Sequence, residues 1–145
     1  MIHFIWYACL ALICGMLLGC EPQARSVVTN ADDVVQVPLG ATLEVAMAGN
    51  PSTGYVWKLH KYDETILSLD GSPKYEPRDA RVDGGGGVYT FAFTPEKAGE
   101  ATLYFVNRRP WDTSAEPAEE YTVTVEVLSR WPDVHEAPAV VRVVK

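Results

Sequence analysis

Candidate catalytic side chains are few in this sequence. Its three histidines are His3 in an apolar N-terminal segment, His60 in an alternating run and His135 near the C-terminal end. A nucleophile needs a base held beside it, and neither a Gly-x-Ser-x-Gly motif nor a spaced set of metal ligands accompanies these histidines. We therefore expect His60 to be an exposed strand residue. The sequence predicts no enzyme, no cofactor and no metal site.

Three short motifs are better suited to contact than to catalysis. Residues 49–57, GNPSTGYVW, combine strong turn formers with two small hydroxyl side chains, Ser52 and Thr53. Residues 84–87 are four glycines. The sequence after them predicts a strand and not a helix, which argues against a phosphate-binding loop. A flexible hairpin without a binding role explains the glycines as well as a contact site does. In residues 107–111, NRRPW, Trp111 is either folded back onto the core or displayed, and displayed tryptophan and arginine are preferred interface anchors.

Short alternating runs must position these motifs. From residue 34 onward, runs such as ATLEVAM and EYTVTVEVL place apolar residues on one face and polar residues on the other, with turn signals about every ten residues. This pattern predicts an all-β fold, an immunoglobulin-like antiparallel β-sandwich of about seven strands over residues 33–129. Trp57 lies in one of the alternating runs and is expected in the core. Residues 130–145 form either a tail or an extra edge strand, because their prolines weaken a strand prediction.

Length and charge restrict the remaining possibilities. The chain has 145 residues, 48% of them hydrophobic, which suits one domain with its own core. Its formal net charge is −7, and basic residues are interspersed among the acids instead of forming a stripe. We therefore expect no nucleic-acid partner. The protein is also expected to be a monomer.

The N-terminal segment predicts export. Residues 1–19 are largely apolar and end in Leu-Leu-Gly before Cys20, which resembles the lipobox of a bacterial lipoprotein; an uncleaved membrane anchor is the alternative. Cleavage there would remove Cys9 and Cys14 and leave Cys20 lipidated, so no disulfide is expected. Residues 20–32 would then be the lipidated cysteine and a flexible tether. Because Glu21 stands where an inner-membrane retention signal commonly has Asp, we expect an outer-membrane anchor facing the periplasm.

Together, NPSTGY, GGGG and RPW at the tips of one all-β domain resemble the loop motifs of the chagasin family, inhibitors of papain-like cysteine peptidases. The resemblance covers about residues 34–128, and Ser52 stands where the family usually has Thr. It implies that the first motif plugs the peptidase cleft and the other two hold its sides. The implied peptidase-binding residues are Asn50, Pro51, Ser52, Thr53, Gly54 and Tyr55 in the first motif, Gly84, Gly85, Gly86 and Gly87 in the second, and Arg109, Pro110 and Trp111 in the third.

The residue types agree with such a role. A papain-like cleft is a narrow slot that holds a thiolate and an imidazolium, so a plug must be slim and neutral, and we expect Ser52 and Thr53 to donate hydrogen bonds into it. Pro51 fixes φ and lacks a donor, while Gly54 permits a turn that disfavours an extended substrate pose. Neither Pro51 nor Gly54 offers a nucleophile or warhead, so inhibition is expected to be reversible and non-covalent. The alternative is a non-inhibitory immunoglobulin-like adhesion or assembly module of the cell envelope, because a fold alone does not fix function.

Overall fold

The computed structural model of this protein describes residues 25–27, 34–130, 132 and 137–145. The predicted signal segment 1–19 and Cys20 lie outside these residues, as does most of the predicted tether 20–32. Within the tether, Arg25–Val27 nevertheless form a strand. The tether prediction does not hold for these three residues. A strand of three residues can form by backbone pairing alone, and it is too short to show the alternating pattern that predicts strands in the sequence.

Ten strands and one short 3-10 helix account for most of the described residues. In chain order the strands are β1 (Arg25–Val27), β2 (Val34–Pro38), β3 (Thr42–Gly49), β4 (Val56–Lys61), β5 (Leu67–Leu69), β6 (Lys74–Pro77), β7 (Gly87–Pro95), β8 (Gly99–Arg108), β9 (Glu119–Leu128) and β10 (Val140–Val144). One sheet has the order β1-β10-β3-β7-β5 with β6 also paired to β7, and the other has the order β2-β9-β8-β4. The predicted all-β, immunoglobulin-like sandwich is confirmed.

The sheets are mixed, so the prediction of an antiparallel sandwich is wrong in this respect. β10 runs parallel to both β1 and β3, and β2 runs parallel to β9. Alternation predicts that a segment is a strand, but the direction of its neighbour depends on the connection between them, and a parallel pair needs a long one. All three parallel pairs join segments that are distant in sequence.

The C-terminal strand lies inside its sheet. Of the two possibilities for residues 130–145, an extra strand is correct, but β10 is flanked by β1 and β3 and is therefore not an edge. Val141 and Val143 point into the core with 1% and 0% exposure, and Arg142 on the opposite face pairs with the carboxylate of Glu44 on β3. Burial of two valines offsets the local effect of the prolines that precede the strand.

Facing aromatic side chains fill the space between the two sheets. Phe91 and Phe93 from β7 meet Phe105 from β8, with ring centroids 5.0 and 6.4 Å apart in edge-to-face geometry. All three rings are at most 1% exposed. Edge-to-face pairs are a favoured aromatic arrangement, so these rings join the sheets at the centre of the sandwich. No helix in the described part of the chain is long and apolar enough to cross a membrane.

Candidate functional site

Strand register brings the three predicted motifs to one end of the sandwich. The first loop (residues 50–55) leaves β3 and enters β4, so it crosses from one sheet to the other. Gly49 at its start pairs with Gly87, which follows the second loop (residues 78–86). Val56 at its end pairs with Arg108, which precedes the third loop (residues 109–118). The first loop therefore lies between the other two.

A short 3-10 turn shapes the first loop. It covers Pro51–Thr53, with Asn50 as N-cap and Gly54 as C-cap. The Asn50 side-chain oxygen accepts the Ser52 N–H at 3.1 Å, and Gly54 N–H donates to the Pro51 carbonyl at 2.9 Å. Gly54 has a φ of +84°, a left-handed conformation that costs other residues about 1 kcal/mol or more. Pro51 fixes the first turn position, so both ends of the turn are determined by residue type.

The two loop hydroxyls donate inward, contrary to the prediction that they point their protons at a partner. Ser52 Oγ donates to Asn50 Oδ1 at 2.7 Å, and Thr53 Oγ1 donates to the Asn50 carbonyl at the same distance. Asn50 lies just before the turn, within easy reach of both side chains, and Ser and Thr commonly bond to nearby groups of their own chain. The protons of both hydroxyls are therefore used inside the loop, and what each hydroxyl can still offer a partner is lone pairs, which accept hydrogen bonds.

Asn50 also joins the first loop to the second. Its Nδ2 donates to the carbonyl of Gly84 at 2.9 Å, while Ser52 Oγ lies 3.4 Å from the same oxygen. The hydroxyl proton of Ser52 is already donated to Asn50, so the amide makes the stronger link. One side chain thus caps the turn and fixes the neighbouring loop.

The four glycines of the second motif have different environments. Gly84, Gly85 and Gly86 are in the loop, but Gly87 is the buried first residue of β7. A Cβ built on Gly87 would collide with the carbonyl of Glu76 and lie 2.6 Å from the Tyr75 hydroxyl. Gly87 therefore permits close packing of β6 against β7 and does not itself face outward.

The third loop packs against the first. Arg109 Cζ lies 4.8 Å from the ring centroid of Tyr55, a cation–π arrangement. Trp111 is 72% exposed, yet its ring edge lies over Gly54, where an added Cβ would be 2.7 Å from Trp111 Cη2. Of the two alternatives for Trp111, display is correct, and the displayed ring is held in place by contact with the turn.

The base of the third loop is held by the side chain of Arg108. Its guanidinium donates to the carbonyls of Thr113 and Ala115, at 2.9 and 2.6 Å. Ahead of Thr113, the Asp112 N–H donates to the Arg109 carbonyl at 3.2 Å and closes a turn that contains Pro110. The segment that carries Trp111 is therefore closed on itself.

Part of the second loop was missed as a site component by the sequence prediction. Four of residues 78–83 line a cleft of about 280 Å³ beside the first loop, together with Pro51 and Tyr75 among others: Asp79, Ala80, Val82 and Asp83. Val82 there is 56% exposed. Arg81 donates to the Asp79 carboxylate through its side chain and its N–H, which holds the Asp79 pKa below its ordinary value. The two prolines and the glycine run of this long connection were the available sequence signal.

The predictions for Trp57 and His60 are confirmed. Trp57 is 3% exposed and donates its indole N–H to the Ala48 carbonyl at 2.8 Å. His60 is exposed on β4, with its ring against Tyr104. Within the described ranges, no group of three or more His, Cys, Asp or Glu residues is arranged to hold a metal ion.

The sandwich presents three loops at one end, with the first loop bonded to the second and packed against the third, an arrangement typical of a binding surface. Comparison with known proteins identifies the family. The sequence model described as "Chagasin family peptidase inhibitor I42" matches residues 36–125. Chagasin of Trypanosoma cruzi is 28% identical over 92 residues, which cover 60% of this chain and 82% of chagasin. The chain belongs to the chagasin family of peptidase inhibitors.

Solved structures show the same fold. The crystal structure of the cysteine protease inhibitor EhICP2 from Entamoeba histolytica has a TM-score of 0.60 at 24% identity, and the match covers 72% of this chain and 96% of EhICP2. PbICP-C, whose structure was solved in complex with falcipain-2, has a TM-score of 0.54 at 17% identity, with 74% of this chain and 93% of PbICP-C covered. Both likenesses concern the fold. The family match does not favour the alternative of an adhesion or assembly module.

Proposed function

We propose that this protein is a reversible, non-covalent inhibitor of papain-like cysteine peptidases, in which the first loop enters the active-site cleft. The observation that carries this proposal is the placement of the first loop between the other two, with Asn50 bonded to Gly84 on one side and Gly54 under Trp111 on the other. Family membership supplies the class of target. The protein has the role of a binding partner and carries out no reaction of its own.

The inward hydrogen bonds of the first loop determine how it would meet the catalytic pair. The N–H groups of Ser52, Thr53 and Gly54 are all donated within the loop. The lone pairs of the Ser52 and Thr53 hydroxyls remain as acceptors, which complement an imidazolium N–H and the donors of an oxyanion hole. No side chain on the turn carries a charge, so none would compete with the thiolate. The loop fills the slot and offers no attacking group.

The same turn explains why the inhibitor would not be cleaved. A peptidase holds a substrate as an extended chain, whereas Pro51–Thr53 is wound into a 3-10 turn closed by Gly54. Extending it would break the bonds to Asn50, and Pro51 lacks an N–H for pairing with the cleft. Because the three loops are already ordered, docking costs little conformational entropy, which favours tight binding over a standard interface of about 1,600 Å².

The test is inhibition of papain by the full-length protein purified in mild detergent. We expect inhibition that is fully reversed on dilution, with the inhibitor recovered uncut by mass spectrometry. Papain that keeps full activity at micromolar inhibitor would contradict the proposal. Inhibition that persists after dilution, with a covalent adduct, would contradict the non-covalent mechanism.

We also propose that the protein is a bacterial lipoprotein anchored through Cys20 in the outer membrane and facing the periplasm. The Leu-Leu-Gly-Cys sequence supports this proposal. β1 runs parallel to β10 and β3, so Arg25 lies at the end of the sandwich opposite the first loop. Four residues separate it from Cys20, so the five Cα–Cα steps between them reach at most about 17 Å. A lipid there would leave the three loops facing away from the membrane.

Labelling with a fatty acid analogue tests the anchor. We expect label on the wild-type protein and none on Cys20→Ala, which should leave the membrane fraction; Cys9→Ala is the matched control and should keep the label. Unlabelled wild-type protein in an expressing bacterium would contradict lipidation. Recovery of the labelled protein with inner-membrane markers would contradict the outer-membrane assignment.

A further inference from the structure

The Lys145 side chain occupies the junction of the two sheets beneath the first and third loops. Its ammonium lies 4.7 Å from the ring centroid of Trp57 and 5.2 Å from that of Tyr121. It also pairs with Glu119 at 3.3 Å, and 33% of the Lys145 side chain is exposed. The backbone of Lys145 continues β10, in one sheet, whereas all three partners belong to the other sheet. The residue therefore bridges the sheets at the end that bears the loops.

One set of contacts leads from Lys145 to the first loop. Its N–H donates to the Ala46 carbonyl at 2.9 Å, which extends β10 along β3 toward Gly49. The Trp57 ring under its ammonium donates to the Ala48 carbonyl. The same ring packs against Gly49, where an added Cβ would lie 3.2 Å from Trp57 Cδ1. Lys145 thus contacts the strand that leads into the first loop both directly and through Trp57.

A second set of contacts leads to the third loop. Glu119 accepts from Lys145 through Oε2 and from Asn107 Nδ2 through Oε1, both at 3.3 Å. Asn107 is 9% exposed and accepts the Ala118 N–H through its carbonyl at 2.9 Å. Asn107 and Ala118 are close to the two ends of the third loop. The Glu119 carboxylate therefore connects the base of that loop to Lys145.

We propose that Lys145 is a positioning residue that fixes the bases of the first and third loops relative to each other and so preorganises the inhibitory surface. The residue lies beyond positions 36–125, the part matched by the family model. It rests on the proposed function for its effect on inhibition, and on the contacts above for its effect on the free protein. Preorganisation improves affinity by lowering the cost of ordering the loops on binding.

The test compares Lys145→Met with Lys97→Met in the full-length protein. Met keeps most of the side-chain length and removes the charge, while Lys97 is exposed in the β7–β8 turn at the opposite end of the sandwich. Exposed ion pairs and cation–π contacts are individually weak, so we expect Lys145→Met to raise the Ki for papain about three- to tenfold. Lys145→Arg should restore the wild-type Ki, because a guanidinium keeps both kinds of contact.

A second readout is hydrogen exchange of the Trp57 indole N–H in the free protein, followed by NMR. We expect Lys145→Met to speed this exchange several-fold, and Lys97→Met to leave it unchanged. The urea midpoint should move no more in Lys145→Met than in Lys97→Met. A merely structural lysine would instead lower the urea midpoint and leave the Ki of the folded protein unchanged.

The outcomes separate this inference from the proposed function. A wild-type protein that does not inhibit papain overturns the proposed function, while indole exchange still decides whether Lys145 fixes the loop base. Wild-type inhibition with Lys145→Met equal to Lys97→Met in Ki overturns the inference alone. Unchanged indole exchange in Lys145→Met overturns it as well.

Discussion

Gly54 combines two roles that only a residue without a side chain can fill. Its left-handed backbone closes the 3-10 turn, and the absence of a Cβ lets the Trp111 ring pack against its Cα. The turn chemistry of this glycine could be predicted from the sequence, because Asn-Pro-x-x-Gly is a strong turn pattern. Its contact with Trp111 could not, because the two residues are brought together by the pairing of β4 with β8.

Gly54→Ala tests both roles together. We expect a loss of unfolding free energy of about 1 kcal/mol from the backbone, and a further loss of papain affinity because the new methyl displaces Trp111. Urea unfolding and the Ki for papain are the measurements. Gly71→Ala is the matched control, since Gly71 has a φ of +72° and open space around its Cα. It should lose similar stability with an unchanged Ki; equal Ki values for the two variants would contradict the contact with Trp111.

Trp111→Ala tests the displayed ring as an interface anchor. Truncation of a central aromatic anchor costs on the order of 2 kcal/mol of binding, about thirtyfold in Ki. Because 72% of Trp111 is exposed, little core packing is lost and the urea midpoint should barely change. An unchanged Ki for papain would show that the ring is displayed without binding the peptidase.

Hydroxyl direction marks the limit of prediction at the residue scale. The small, neutral character of Ser52 and Thr53 follows from their identity, but the partner of each proton depends on where Asn50 places its two oxygens. A sequence indicates that a hydroxyl can donate a hydrogen bond. It does not indicate that the acceptor is a group of the same loop.

At the scale of elements, β6 and β10 show why the existence or the position of some strands is not predicted by the alternating pattern of the sequence. β6 has only four residues, KYEP, with Tyr75 half-buried and the others exposed, so its alternation is too short to recognise. β10 alternates well, but the prolines before it suggested an edge or a tail. Its interior position results from β1, whose three residues cover its other side. Strand order was therefore less predictable than strand existence.

Gly87→Ala tests the close packing of β6 on β7. The added methyl meets the Glu76 backbone, which a side-chain rotation cannot relieve, so we expect a loss of about 1–3 kcal/mol in unfolding free energy. Urea denaturation measures it. Gly86→Ala serves as control, because its Cβ would lie 3.5 Å from the Gly49 carbonyl, an ordinary contact. Equal midpoints for the two variants would contradict the packing described for Gly87.

For the whole molecule, the preformed loops predict how association proceeds. If no rearrangement precedes docking, the observed rate of papain inhibition should rise linearly with inhibitor concentration in stopped-flow measurements. A rate that levels off at high concentration would reveal a slow opening step and contradict preorganisation. The fold class and the three motifs needed for this expectation were available from the sequence. The contacts that Asn50, Gly54 and Lys145 make with distant residues depend on tertiary pairing, and the sequence did not predict them.

The position of β10 also has a consequence for biosynthesis. β3 leads directly into the first loop, and one of its two neighbours is β10, made almost a hundred residues later; the Arg142–Glu44 pair spans 98 positions. Contacts so distant in sequence slow folding. A chain still leaving the ribosome or crossing a membrane therefore carries the sequence of the first loop before β10 is available to complete the sheet around β3.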